Sequence, residues 1–498
     1  MAQRWKMRRV QAENYGSRSR LIVPQGKAGE GVPPEPGNRE GGGRVTELLL
    51  GNMTDTQRSD HVCTIQQKIA QVARERPQEV FTSLNHYLDV EWLKAAYGRV
   101  KRDSAPGVDG QTWVDYGRDL EKNLLSLLDR VKSGSYVAPP VKRVNIPKGD
   151  GKETRPIGLP TIEDKVLQKA IAMLLEPIYE EDFKFFSYGF RPGRSAHEAL
   201  SCLWSQCMTR QIKWIIDVDV RKYFDTLKHD ILRELLDLRV RDGVIRRLIG
   251  KWLKAGVLER GQLSYPENGT PQGGVISPIL ANIYLHYVLD CWYEESVRAH
   301  LKGRTLLVRY ADDFVLGFEK QEDAEKVYAV LFRRFEKYGL KLHEEKTRLV
   351  PFGQPKGELD NSGGEGTPAG TFDFLGFTHH WGKTRRGGWV IKRRTSRKRL
   401  TRSLKAINQW CRENLHEPLR VQVEALGRKL KGHFGYYGIT GNCDALRRYR
   451  EEVIGIWRRW LARRGDPQGM SWERMTRLLQ FFYLPEARVV HSVYAAKP

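Results

Sequence analysis

The stretch Leu306-Leu307-Val308-Arg309-Tyr310-Ala311-Asp312-Asp313-Phe314-Val315-Leu316-Gly317-Phe318 constrains this chain more than any other. Apolar, β-branched and aromatic runs flank a short acidic centre. The pattern reads as a β-hairpin with its carboxylates at the tip. Two adjacent acids between buried strands are costly unless a cation or strong donors meet them. An Asp-rich turn held by local hydrogen bonds is the competing reading, and the hairpin alone does not choose between them. The choice rests on whether further carboxylates and phosphate-binding groups stand at suitable places.

Trp214-Ile215-Ile216-Asp217-Val218-Asp219 reads as an apolar strand that ends in acid. By the period-two rule Asp217 and Asp219 share one face, and Ile216 and Val218 the other. A helix over 227–238 follows. An Asp-ended strand beside an Asp-tipped hairpin suits two-metal phosphoryl transfer, in which carboxylates from different strands hold two Mg²⁺ about 3.5–4 Å apart. The separation of Asp219 from Asp312 leaves room for a helix and a loop. Asp217 and Asp225 read as surface or structural acids. In the intervening loop, Gly269 to Pro278, Gly273-Gly274 would let backbone approach a ligand closely.

Two basic segments precede the acids. Val141 to Ile157 reads as two short strands around a Gly-Asp-Gly turn. Lys148 as a point charge and Arg155 as a forked donor could close over a polyphosphate, although charged hairpins are commonly just solvated. Tyr188 to Ser195 is aromatic, basic and Gly-rich. With Arg191 and Arg194 it suits stacking and phosphate contact on a nucleic-acid strand; a packed loop using Gly and Pro for its turns is the alternative.

Charge points the same way. Lys+Arg is 84 against Asp+Glu 60, a formal net charge of +24, which argues for a polyanionic partner. An anionic membrane fits less well, because no apolar run approaches the roughly 20 residues of a spanning helix. The six cysteines form no Cys-x-x-Cys pair and no disulfide framework, against a zinc module and in keeping with a reducing compartment. Residues 1–60 read as a flexible basic arm, 61–135 as a helical region, Asp164 to Glu181 as an amphipathic helix, and 354–371 as a surface insertion. Lys383 onward is heavily cationic, then helical; Trp457 and Trp472 read as core.

Tyr-Ala-Asp-Asp, Asp-Val-x-x-x-Phe and Pro-Gln-Gly-x-x-x-Ser-Pro together resemble the motif set of reverse transcriptases, in the family's order. Finer features resemble the reverse transcriptases encoded by group II introns (intron maturases): Ala105 to Gly110, Arg155-Pro156-x-Gly-x-Pro, Tyr188 to Pro192, Leu342 to Thr347 and Phe374 to Phe377. The resemblance implies an α+β right-hand polymerase: residues 136–382 as fingers and palm with a small antiparallel sheet, 383–498 as a helical thumb or maturase X domain. It implies that Asp219, Asp312 and the Val220 carbonyl hold two Mg²⁺, with Asp313 in support. Phe224 would lie under the incoming sugar, Lys148 and Arg155 on the triphosphate, and Gln272 beside the nucleotide. Lys346 would donate a proton to pyrophosphate, Leu375-Gly376 would grip the primer, and Tyr310 would shape the turn near the primer end.

The implied activity is RNA-directed DNA synthesis together with binding of intron RNA in splicing. The implied partners are intron RNA, an RNA template, a DNA primer, dNTPs and a DNA target site, in a bacterial cytoplasm at the nucleoid or in an organellar matrix. A host-adopted reverse transcriptase in repair or defence, and an RNA-binding splicing cofactor without polymerase chemistry, are the alternatives. No space is expected for an RNase H domain or a His-Asn-His endonuclease.

Overall fold

A computed structural model describes residues 55–148, 153–265, 268–269, 273–355, 370–384, 386–464 and 469–492. Residues 1–54 of the expected basic arm, Gln272 and most of the 354–371 insertion lie outside them, as does the Lys148 side chain; residues 55–60, expected in the arm, begin a helix instead.

Helical spacing builds α1 (Asp55–Glu75), α2 (Val90–Arg99), α3 (Trp113–Arg118) and α4 (Leu120–Ser133). Local signals start them: the Asp89 carboxylate accepts from the Trp92 N–H, and Thr112 with Asp115 forms a capping box. These helices do not make a core of their own. α1 and α2 pack on α5 (Ile162–Asp182), and the Trp92 indole donates to the Ala170 carbonyl at 3.0 Å. α5 is buried on almost every side, so it is the axis of a continuous core running from Val62 to Leu342.

The basic hairpin forms as β1 (Val141–Lys148) and β2 (Glu153–Leu159). After α6 (Ala196–Thr209) comes β3 (Trp214–Asp219), then α7 (Tyr223–Thr226), α8 (His229–Leu236) and α9 (Gly243–Leu253). β4 (Val257–Glu259) and β5 (Gln262–Ser264) extend the first hairpin into a sheet of order β2-β1-β4-β5. α10 (Ser277–Leu285) runs on into π-helical turns over His286–Asp290 and Tyr293–Val297. The opening hairpin is β6 (Thr305–Tyr310) and β7 (Asp313–Phe318), followed by α11 (Gln321–Lys337) and β8 (Arg348–Pro351). These strands make an antiparallel sheet of order β6-β7-β3-β8, as the expected small sheet requires.

β9 (Phe372–Phe374), β10 (Phe377–Lys383) and β11 (Trp389–Thr395) form a third sheet. β11 was not expected, and the expected division at 382/383 falls inside the β10–β11 hairpin. Its cations hide an alternation in which Ile391, Arg393 and Thr395 are the buried residues. α12 (Arg397–Glu413), α13 (Leu419–Tyr437), α14 (Cys443–Leu461) and α15 (Trp472–Phe481) then pack around Leu426, Leu430, Val453 and Trp457. Trp457 is core as expected, but Trp472 is 55 % exposed, with Arg458 stacked on its ring. The whole is α+β. No helix among the described residues is long and apolar enough to cross a membrane.

Candidate active site

The hairpin closes through the two-residue turn Ala311-Asp312, with Tyr310 paired to Asp313. Ala311 sits at φ 58°, a region where a Cβ is unfavourable. The turn is held from outside. The Tyr188 N–H donates to the Arg309 carbonyl, and the Arg309 N–H to the Phe186 carbonyl, both at 2.9 Å. Gly189 then passes so close that a Cβ there would lie 2.2 Å from the Ala311 nitrogen.

β3 lies beside β7 with Asp219 opposite Asp313, so the two acid-bearing strands are neighbours, as expected. Asp217, Asp219, Asp312, Asp313 and Asp373 line one cleft of about 1290 Å³. The same cleft is lined by Lys346, Arg348, and Arg394, Arg397, Lys398, Arg399, Arg402 and Lys405 of β11 and α12.

The crowding shows in the ionisation of the acids. Burial raises the Asp312 carboxyl, and Asp219 adds to this, while Arg155 and Arg309 oppose it. Burial also pushes Asp313 up to about 7, aided by Asp217 and Asp312 and opposed by the Leu375 N–H. Asp217 is pushed up to about 6 by burial, against an ion pair with Arg348 at 3.1 Å. Asp217 thus has its own cation at the rim of the cleft. Asp219 Oδ2 lies 3.1 Å from Lys346 Nζ, both side chains half-exposed.

Among the described residues no group of three or more His, Cys, Asp or Glu stands ready to hold a metal ion. The donor chemistry nevertheless fits a hard divalent cation: every candidate ligand is oxygen. Asp219 already draws a cation, the Lys346 ammonium, and the raised acids would be relieved by positive charge.

The other expected site residues divide. Arg155 is exposed on β2 and near enough to act on Asp312. Val220 is buried and bridges Leu342. Tyr310 ends β6, half-buried. Leu375 and Gly376 form the β9–β10 turn, both at positive φ; the Tyr436 hydroxyl donates to the Leu375 carbonyl at 2.9 Å. Arg194 is exposed, its guanidinium over the Tyr188 ring. Phe224 is buried against Tyr223 and does not line the cleft.

Two expected residues are engaged within the protein. Arg191 is buried, paired with Glu180 at 2.8 Å and donating to the Lys184 and Ser187 carbonyls. It braces its own loop from within, where an outward-reaching side chain was expected. Gly273, at φ 110°, does permit a close backbone approach, but to the Gly158 carbonyl of β2: a Cβ would lie 2.4 Å from that oxygen.

The reverse transcriptase (RNA-dependent DNA polymerase) family matches residues 146–379, a span holding Asp219, Asp312 and Asp313. Protein YkfC of Escherichia coli (strain K12) is 35 % identical over 58 % of this chain and 84 % of its own length. The chain belongs to the group II intron reverse transcriptase/maturase family. The group II intron-encoded protein LtrA of Lactococcus lactis subsp. cremoris is 38 % identical over 45 % of this chain. Nuclear intron maturase 4, mitochondrial, of Arabidopsis thaliana is 29 % identical over 29 %. The chain matches 37 % of LtrA's length and 18 % of the plant protein's. Reverse transcriptases generally use divalent metals such as Mg²⁺, in accord with the oxygen donors of the cleft.

The sequence reading missed three residues behind the hairpin of this reverse transcriptase. Arg309 is wholly buried and meets Asp290 and Asn282, also buried. A cation inside an apolar strand was the available signal.

Proposed function

We propose that the chain is an RNA-directed DNA polymerase encoded by a group II intron, which copies intron RNA during retromobility and binds that RNA to assist splicing. One observation carries the polymerase reading: Asp219 and the Asp312-Asp313 turn, 93 residues apart in the chain, stand on adjacent strands at one cleft rich in cations.

In this reading the β6-β7-β3-β8 sheet is the palm, the β1–β2 hairpin belongs to the fingers, and α12 to α15 are the thumb. Asp219, Asp312 and the Val220 carbonyl would hold the metals, with Asp313 beside them. Mg²⁺ bound there would supply Lewis-acid activation of the primer 3′-hydroxyl and charge stabilisation for the leaving pyrophosphate. Arg155, with Lys148 and Gln272, receives the nucleotide. Lys346 can leave Asp219 and give its proton to pyrophosphate. The Leu375-Gly376 turn seats the primer strand next to Asp313, and Arg397 to Lys405 neutralise backbone phosphates of the template duplex.

The test is primer extension on an RNA template, wild type against Asp312→Ala, with intron splicing assayed in parallel. DNA synthesis should be lost and protein-assisted splicing retained, since splicing needs the RNA-binding surface and not the acids. Unchanged DNA synthesis in the variant would sink the assignment.

A further inference from the structure

We infer that Arg309 is a positioning residue for the catalytic turn, fixing the Ala311 carbonyl and so the direction of Asp312; the inference rests on the polymerase reading above. Arg309 lies in β6 with no exposure, directly after the apolar run Leu306-Leu307-Val308. A charge there is tolerated only with full pairing. Its Nε and Nη2 grip both oxygens of Asp290, at 2.8 and 2.5 Å. Its Nη1 donates to Asn282 Oδ1 at 2.9 Å and to the Ala311 carbonyl at 3.2 Å. The guanidinium fork thus ties helix to turn. Asn282 completes the tie, because its Nδ2 donates to the Gly189 carbonyl at 2.7 Å, on the residue packed against Ala311.

The helix leaves regular α-geometry between these two partners. Asn282 and Asp290 are eight residues apart, and regular α-helical geometry would set them about 80° apart around the axis. The π-helical turn over His286–Asp290 advances more slowly per residue, so both side chains reach one guanidinium. His286 is not the countercharge to Asp290: its Nδ1 is 4.0 Å away, and burial with nearby cations pushes the ring down to about 3, so it is neutral.

Packing alone does not call for such a network, since apolar residues of similar volume usually serve as well as a buried ion pair. What does call for it is the turn. Ala311 is a non-glycine residue in the left-handed region, and such a conformation persists only where the surroundings over-determine it.

Two variants separate positioning from packing. Arg309→Lys keeps the charge on Asp290 but cannot span Asn282 and Ala311. The double variant Arg309→Met/Asp290→Leu removes the ion pair and leaves no charge unpaired. Four readouts are needed: thermal unfolding, amide hydrogen exchange over 305–318 without metal, the Mg²⁺ dependence of primer extension, and primer–template affinity. Cooperative unfolding and unchanged primer–template affinity are expected. Exchange at 311–313 should accelerate, and the half-saturating Mg²⁺ should rise, each by about tenfold. A folded variant that matches the wild type in both exchange and Mg²⁺ dependence overturns the inference. So does failure of both variants to fold, which would make the pair a plain core element. A wild-type protein that makes no DNA would fail the polymerase reading, while the exchange data would still decide the role of Arg309.

Discussion

The two sides of the β6–β7 hairpin treat charge in opposite ways. In front, Asp219 meets Lys346 at 3.1 Å with both side chains open to solvent, and Asp312 and Asp313 are held above the usual carboxylate range. Behind, Arg309 and Asp290 are sealed from solvent and joined by two bonds at 2.5–2.8 Å. The front is open, with cations on its far wall, and its acids can exchange partners, as the proposed binding of metal and triphosphate requires. The back is closed and has one arrangement. In the proposed polymerase, a turn built this way would leave its acids free to change partners while its backbone is fixed from the other side.

The contrast breaks most visibly at Asp219. Asp219→Asn should lower primer extension on the order of 10³-fold, about 4 kcal/mol of barrier, while thermal unfolding barely moves. Asp290→Asn should do the reverse in stability: leaving Arg309 buried without its countercharge costs roughly 3–5 kcal/mol. Equal melting of both variants would erase the distinction between the two sides.

A smaller effect is expected at Lys346. Lys346→Ala should reduce kcat on the order of 10²-fold, the usual worth of a general acid, with no measurable loss of stability because the Asp219 pair is exposed. A full-rate variant would leave Lys346 as a mere countercharge. Gly189→Ala should act through the turn. The new Cβ would strike the Ala311 nitrogen, costing about 1–3 kcal/mol and about tenfold in rate from a displaced Asp312. Wild-type melting and rate together would show that the turn does not depend on this contact.

His433 is the remote control, far from either side of the hairpin in role. It stacks on Tyr449 with ring centroids 3.6 Å apart, and its Nε2 is buried without a partner. Burial pushes it down to about 4. Its folded-state pKa is depressed, so the stability it contributes is complete above about pH 6.5 and is lost as pH falls towards 4. The loss is up to about 3 kcal/mol. His433→Phe should abolish that acid-side loss and leave primer extension at neutral pH unchanged. An unaltered pH–stability curve would place the acid sensitivity elsewhere.

What could be read from the sequence follows from the length scale of each signal. The strand ending in Asp219 and the hairpin bearing Asp312 could be read through period-two alternation and turn chemistry, both properties of a few neighbouring residues, while the roles of the two acids came from the family resemblance. The β1–β2 hairpin and α5 were visible for the same reason. The inward turn of Arg191 was not legible because composition does not reveal whether an arginine reaches outward or folds back. Its partner Glu180 sits on the preceding helix, eleven residues earlier, at no regular spacing. β11 was hidden because Arg393 is buried in a run of cations that reads as solvated. The Arg309 network was the least accessible. Its strand showed an anomalous cation, but Asp290 and Asn282 converge on it only through a π-helical turn, which a 3.6-residue period cannot foretell.

The central claim is that the front of the hairpin holds the metals. Mn²⁺ can be counted by electron paramagnetic resonance on the full chain bound to primer–template and a non-hydrolysable dNTP analogue. The account predicts two bound ions in the wild type and loss of at least one in Asp312→Asn, with the melting temperature preserved. Two ions bound with undiminished affinity in that variant would contradict it.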